Sequence, residues 1–422
     1  MHILMLAQFY APIIGGEERH VQDLAIELVK RGHKVTVATL HTPGAAEFEV
    51  EHGVKIYRIK STTQRARWLY SQAERTHAPP LPDPEVVSAL RRIVDHERPD
   101  VVHAHNWFLY SFLPLKLWSR LPLVVSLHDY SLRCTQKRLM RDGSVCSGPS
   151  LGKCIQCAAA HHGGMTGRVT AVAHQLTKPL VRSSVDMFLP VSHATATGNG
   201  LIENRLPFQV IPNFITDNRP ASQENIDEYI SQLPPDGFLI FVGDLSRDKG
   251  VDVLLRAYAG LQQAPPLVLI GRKRPDTPAD LPKNVMHLGS WPHAAVLEGY
   301  RRSSFGLLPS VCPETFGIVV IEAMSMGKPV IASRIGGLPD IIIDGENGFL
   351  VPPGNAIALQ QSMQRLLDDT KLRARLEEGA LQRSKHFHAQ TVVPQVEAVY
   401  RTLIQSTAGM QGINEQQYEM PS

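Results

Sequence analysis

The 422-residue chain has no run of roughly 18 uninterrupted apolar residues, so no segment reads as a membrane-spanning helix. Cysteine is scarce: five residues are too few for the disulfide framework of a small secreted domain. The first residues, Met1-His2-Ile3-Leu4-Met5-Leu6, lack a basic leader and a small-residue cleavage site. They read as a buried first strand of a cytoplasmic protein. A net charge of +3 over this length is too small for a nucleic-acid footprint, so no nucleic-acid partner is expected. Repeats of roughly 20–50 residues are also missing, which excludes a solenoid or propeller.

What is present fits a soluble α/β protein of two domains. Single cores stop growing near roughly 250–300 residues, and 43% apolar, 20% charged, 31 Gly and 31 Pro is an ordinary globular composition. Apolar runs at 2–7, 34–39, 54–59, 100–104, 123–127 and 187–191 read as strands, with amphipathic helices at 18–30 and 84–97. The rhythm restarts at 238–242 and continues through 267–270, 286–288, 305–308 and 329–332, with helices near 251–261, 294–302 and 317–326. Strand–helix alternation of this kind builds a parallel sheet wound on both faces. Two such halves are predicted, at 1–212 and 213–386, joined by a polar segment that runs to Pro235. A helix follows at 387–407, and a Gln-rich tail at 408–422 is expected to be mobile. Charge is uneven: residues 1–215 hold 24 Lys/Arg against 17 Asp/Glu, and the remainder 19 against 23. The first half therefore either faces an anionic surface or carries scattered solvated charge.

In open parallel sheets, ligands bind beyond the carboxyl ends of the strands. Gly15-Gly16 follows the first strand and leads into a helix; it suits close approach of a phosphate to the backbone, or a plain tight turn. It is not the G-x-G-x-x-G fingerprint, which disfavours a nicotinamide enzyme. Arg247 and Lys249 stand at a strand-to-helix junction in the second half, where cations can neutralise a diphosphate or form surface ion pairs with Asp248. The richest segment holds Glu314 in a loop and Glu322 in an apolar helical run. If wholly helical, the two carboxylates would lie about 80° apart around the axis and about 12 Å along it. That is farther than an acid–base pair acting on one bond, about 5–9.5 Å, so they would hold different groups of an extended ligand. Glu322 also reads as a core carboxylate satisfied by a partner.

Taken in order, the motifs resemble those of a family 4 retaining glycosyltransferase of the GT-B fold, two Rossmann-like doubly wound α/β domains facing across a cleft. The residues carrying the likeness are Gly15-Gly16 with Glu18 and His20, His103 and His105, Ser126-Leu127-His128-Asp129, Ile211-Pro212-Asn213, Lys249-Gly250, the Glu314/Glu322 pair, and the glycine-rich stretch opening at Gly336-Gly337. The resemblance implies transfer of a sugar from a nucleotide-diphosphate donor to a glycan or lipid-linked acceptor, in surface polysaccharide or glycoconjugate synthesis. It implies that Glu322 holds the ribose, and that Glu314 with the backbone of Phe316, Gly317, Ile318 and Val319 orients the sugar. Lys249 and Gly16 would contact the diphosphate, and His128 would sit beside the transferred sugar. Asp244 stands where the family often has Arg; Arg247 is the expected compensation. A GT-B hydrolase or epimerase and a non-catalytic sugar-nucleotide-binding module are the alternatives.

No D-x-D pair occurs, so no cofactor is expected for catalysis, the positive field coming from Lys249 and helix N-termini. Cys134, Cys146, Cys154 and Cys157 cluster in an apparent insertion at 130–164. Their spacing suits a structural zinc tying down a polar loop; two disulfides or unligated thiols remain open. The insertion also carries Arg133, Lys137, Arg138 and Arg141, a basic lid for a lipid-linked diphosphate or simply solvated charge. Peripheral contact with the inner face of a membrane goes with the first of these.

Overall fold

A computed structural model describes all residues except 14, 66–77, 217–225, 236 and 419–422, and gives no side chains at 408–418. It divides into two compact units. Unit 1 comprises Met1–Leu139, Cys146–Ile211 and Val392–Ser422, and unit 2 comprises Met140–Val145 and Pro212–Thr391.

Near-continuous apolar runs make strands that are buried on both faces, the requirement for a parallel sheet. In unit 1 these are β1 (His2–Leu6), β2 (Lys34–Leu40), β3 (Phe48–Glu51), β4 (Val54–Ile59), β5 (Val101–Ala104), β6 (Leu123–Leu127) and, after a short hairpin of β7 (Met140–Arg141) and β8 (Ser144–Val145), β9 (Met187–Pro190). Their order is β3-β4-β2-β1-β5-β6-β9. All pairs are parallel except β3 with β4, where a largely exposed, acidic strand closes the edge. That polarity hides β3 from a search for apolar runs. Ile3 pairs with Val35 on one side and Val101 on the other, so the chain turns back across β1 to build the second half of the sheet.

Unit 2 repeats the plan with β10 (Leu239–Val242), β11 (Leu267–Ile270), β12 (Val285–His287), β13 (Phe305–Leu308), β14 (Val330–Ser333) and β15 (Gly348–Val351), ordered β12-β11-β10-β13-β14-β15 and wholly parallel. The reversal of strand order falls between β1 and β5 in unit 1 and between β10 and β13 in unit 2. Loops leaving two neighbouring strands there diverge to opposite sides and open a crevice.

Local signals set several helix starts. Asp83 accepts from the backbone N–H of Glu85 and Val86, and Pro84 opens the helix Pro84–Glu97. Two expectations need correction. The C-terminal helix does not end near 407 but spans Ala389–Tyr418; the end of the tail lies outside the described residues. The insertion is not wholly loop: the helix Leu151–His162 lies within it, and the helix Gly164–Ser184 starts at its end. They touch through small residues, since a Cβ on Gly167 would lie 2.1 Å from the Ala158 carbonyl oxygen. Among the described residues no helix is long and apolar enough to cross a membrane.

Two glycines shape the unit 2 crevice. Gly250 (φ 72°) precedes the helix Val251–Ala259, and a Cβ there would lie 1.9 Å from the Pro309 carbonyl oxygen. Gly336 (φ 59°) would place a Cβ 2.0 Å from the Glu314 carbonyl oxygen, which accepts from the Gly337 N–H at 2.7 Å. Each position combines left-handed backbone with an unyielding backbone neighbour. Gly250→Ala and Gly336→Ala should each cost at least about 2 kcal/mol of stability, read as a lower urea midpoint; wild-type midpoints would refute the packing argument.

Candidate active site

In unit 1 the loops leaving β1, β5 and β6 bring together Gly16, His105 and His128. Gly16 opens the helix Gly16–Lys30, and a Cβ added to it meets nothing within 4 Å, so its backbone faces open space. Around it four imidazoles assemble. His105 Nδ1 and His128 Nε2 lie 3.1 Å apart and share one hydrogen. The rings of His20 and His128 meet edge to face at 4.9 Å, and those of His103 and His105 lie 4.1 Å apart. His103 bonds Ser126 Oγ at 2.8 Å and the Tyr400 hydroxyl at 2.6 Å, so the last helix braces the cluster.

Burial, reinforced by the neighbouring imidazoles, holds His20 and His105 well below the ordinary histidine range and His103 at about 3. These three are neutral at physiological pH. Glu17, in the first turn of the helix Gly16–Lys30, accepts from Asn106 Nδ2 at 2.7 Å. Burial first, and then the charge of Asp129, push its carboxyl up to about 8. A carboxyl that keeps its proton adds no charge of its own to this N-terminus, whose first turn also holds Glu18.

In unit 2 the loops leaving β10 and β13 carry Lys249 and Glu314, and the structure pairs them: Lys249 Nζ donates to Glu314 Oε1 at 2.7 Å. Ser310 Oγ donates to the same oxygen at 2.5 Å. For Lys249, burial pulls the ammonium down but the charges of Glu314 and Cys312 outweigh it, and the net shift is upward. For Glu314, burial raises the carboxyl but the Lys249 charge and the two hydrogen bonds outweigh it, and the net shift is downward. Both therefore stay charged. Only Glu322 of the two acids is helical, since the helix Ile318–Ser325 begins after Gly317, a left-handed residue whose Cβ would lie 2.7 Å from Leu338 Cδ2. Phe316 is buried beside it, and Ile318 and Val319 open the helix. Glu322 is 4% exposed and meets His293 Nε2 at 2.7 Å.

Sequence reasoning missed the partners. The side chain expected to compensate for Asp244, Arg247, is exposed; its backbone N–H donates to Asp276. Arg272, just past β11, instead grips Asp244 through two hydrogen bonds of 3.1 and 3.2 Å, with Arg274 4.0 Å away. His293 and Ser310 stand alone in their stretches of sequence, whereas Arg272, opening an Arg-Lys-Arg run after β11, and His103 and His105, in a His-Ala-His triplet at a strand end, offered a readable signal.

The cysteines behave differently from a metal site. None of the five cysteines is in a disulfide, and among the described residues no three His, Cys, Asp or Glu side chains are grouped to hold a metal ion. Cys154 and Cys157 lie on the helix Leu151–His162, where Cys157 Sγ accepts from Gln136 Nε2 at 2.9 Å; Cys146 Sγ donates to the Gly148 carbonyl at 3.6 Å. Cys134 caps a turn, its N–H bonded to the Tyr130 carbonyl. Close packing at Gly167 holds the helix Leu151–His162 against the helix Gly164–Ser184. The basic lid is mostly paired: Arg133 with Glu203, Arg141 with Asp142, and Lys137 near Asp129 while lying over the Trp107 ring.

Comparison with known proteins decides what these two crevices belong to. The family described as Glycosyltransferase Family 4 matches residues 14–219, and Glycosyl transferases group 1 matches residues 223–383. The chain belongs to glycosyltransferase family 4. It is 25% identical to a glycogen synthase of Mycobacterium tuberculosis, over 95% of this chain and 94% of the relative. It is 26% identical to a phosphatidyl-myo-inositol mannosyltransferase of Mycobacterium leprae, over 97% and 99%. Among solved structures, HepE of Anabaena in complex with UDP-glucose superposes with a TM-score of 0.65 at 21% identity, covering 95% of this chain and 100% of that one. The fold is GT-B, and this family 4 member is an enzyme.

In this glycosyltransferase the Glu17 carboxyl gives a pH signature. The folded chain keeps its proton up to about 8, whereas an unfolded carboxyl releases it near 4.5. Between those values folding takes up a proton and stability falls as pH rises. Glu17→Gln should flatten that slope by up to one proton, measured by urea unfolding at several pH values; an unchanged slope would sink the assignment.

Proposed function

We propose that the enzyme moves a sugar, with retention of anomeric configuration, from a nucleotide-diphosphate donor to a hydroxyl of a glycan or lipid-linked acceptor. The product belongs to a surface polysaccharide or other glycoconjugate, made at the cytoplasmic face of a membrane. The observation that carries this reading is the Lys249–Glu314 pair at the strand-order reversal of unit 2. It offers a cation held in its charged form beside a helix N-terminus, which is what a departing diphosphate needs. The UDP-glucose bound by HepE and the lipid named for the mannosyltransferase support the donor and acceptor classes.

Under this reading Lys249 neutralises the diphosphate, and Arg272 supplies the second cation that Asp244 displaces. Glu322, with Oε1 taken by His293, turns Oε2 to the ribose hydroxyls. The bond from the anomeric carbon to the diphosphate oxygen breaks with its electron pair going to the diphosphate. The acceptor oxygen then bonds to the oxocarbenium-like carbon from the same face and loses its proton to the departing phosphate. His128, oriented by His105, positions the transferred sugar. Glu314 and the backbone of Phe316, Gly317, Ile318 and Val319 orient that sugar from the unit 2 side, and Gly16 presents its amide to the diphosphate. No step uses a divalent ion, because the chain has no D-x-D pair and the positive field is its own.

A thermal-shift series with UDP-, GDP- and ADP-sugars should find one donor class that raises the melting temperature. Arg272→Ala and Glu322→Gln should weaken its binding about tenfold, whereas His128→Ala should lower kcat about 100-fold or more with donor affinity retained. EDTA should leave turnover unchanged. Loss of donor binding in His128→Ala with wild-type binding in Glu322→Gln would reverse the roles.

A further inference from the structure

The helix Gly164–Ser184 shows an apolar stripe on the face that the described residues of its own unit do not cover. Met165, Val169, Val172, Leu176 and Leu180 are between 38% and 75% exposed. At 100° per residue they fall within an arc of about 80°. The opposite face is buried and tied down: Gly167 sits on Ala158, His174 Nε2 bonds the Ser131 carbonyl at 2.7 Å, and Lys178 Nζ donates to the Arg133 carbonyl. The helix is thus anchored with its apolar side turned outward. The helix Leu113–Ser119 packs against it and adds Leu117 and Trp118, 66% and 72% exposed, with Arg91 lying 6.0 Å from the Trp118 ring centroid.

Charge selects the occupant. Residues 143–185 contain no Asp or Glu, and besides the buried Lys178 they carry Lys153, Arg168 and Arg182. Arg168 is exposed along the edge of the stripe, and Arg120 is exposed at the end of the helix Leu113–Ser119. The absence of acid over 43 residues suits an anionic surface, and an anionic bilayer, which repels carboxylates and attracts each cation, also has an apolar layer beneath its headgroups to take up the exposed stripe and Trp118. Large apolar side chains on one helical face, basic residues at the margin and a Trp beside them form the pattern of a helix lying in a membrane interface.

We infer that the face formed by the helices Gly164–Ser184 and Leu113–Ser119 docks the enzyme on an anionic lipid bilayer, with Met165, Val169, Val172 and Leu176 entering the headgroup boundary. This deepens the reading of a lipid-linked acceptor proposed above, but it is measured without donor or acceptor, so the two fail separately.

The test is co-sedimentation of the full chain with vesicles of phosphatidylcholine alone and of phosphatidylcholine containing about one-third phosphatidylglycerol. The chain should bind the anionic vesicles at least about tenfold more strongly, and added salt should weaken that binding. Val169→Ser combined with Leu176→Ser should lower binding about tenfold or more, and Arg168→Glu should weaken it further. All variants should keep the wild-type melting temperature and donor hydrolysis, because these side chains face outward. Equal binding to both vesicles would overturn the anionic assignment. Wild-type binding by the double variant would overturn the stripe, and a dimer in solution that the double variant splits, with no vesicle binding, would replace the bilayer by a second copy.

Discussion

A charge removed from water has to find its counter-charge nearby or give up its proton, and in unit 2 that rule is met by Lys249 and Glu314. Burial alone would neutralise either group, yet each keeps the other ionised, with Ser310 contributing a further hydrogen bond to the carboxylate. Much of the surrounding backbone follows from keeping this pair together. The loop after β10 has to approach the loop after β13, which leaves no room for a side chain at 250. The Glu314 carbonyl in turn is held by the Gly337 N–H, which leaves none at 336. Gly250 and Gly336 are thus the imprint of one ion pair and its supports.

Unit 1 meets the same physical problem by the opposite route. Instead of stabilising charge it suppresses it: His20, His103 and His105 are held neutral by burial, and Glu17 keeps its proton through the physiological range. Neutral imidazoles can orient one another through shared hydrogens and ring contacts without adding charge to a buried site. The crevice of unit 2 thus centres on a buried ion pair, whereas in unit 1 three imidazoles and the Glu17 carboxyl are held uncharged beside Asp129 and Lys137.

Residue by residue, the readable part of the site was what local patterning controls. Gly16 after β1, His128 after β6, Lys249 after β10 and Glu314 after β13 are each at the end of an apolar run, and a run's end is visible without knowing its neighbours. The unreadable part was pairing. Arg272 holds Asp244 across 28 positions and His293 holds Glu322 across 29, each from a loop or helix start with no periodic signal. Nor did the spacing of the cysteines show that Cys154 and Cys157 lie one turn apart on a helix packed through Gly167.

The sequence by itself determined the alternation of buried strands and amphipathic helices, the two-part plan and the positions of the chemically active loops, because apolar periodicity and glycine placement act through sterics within a few residues. Only the tertiary structure decided which side chain answers which charge, that Tyr400 braces the histidines, and which face of the helix Gly164–Ser184 is left outward. Those outcomes depend on strand order, which brings residues 65 positions apart within 2.7 Å at Lys249 and Glu314, and no one-dimensional pattern records that adjacency.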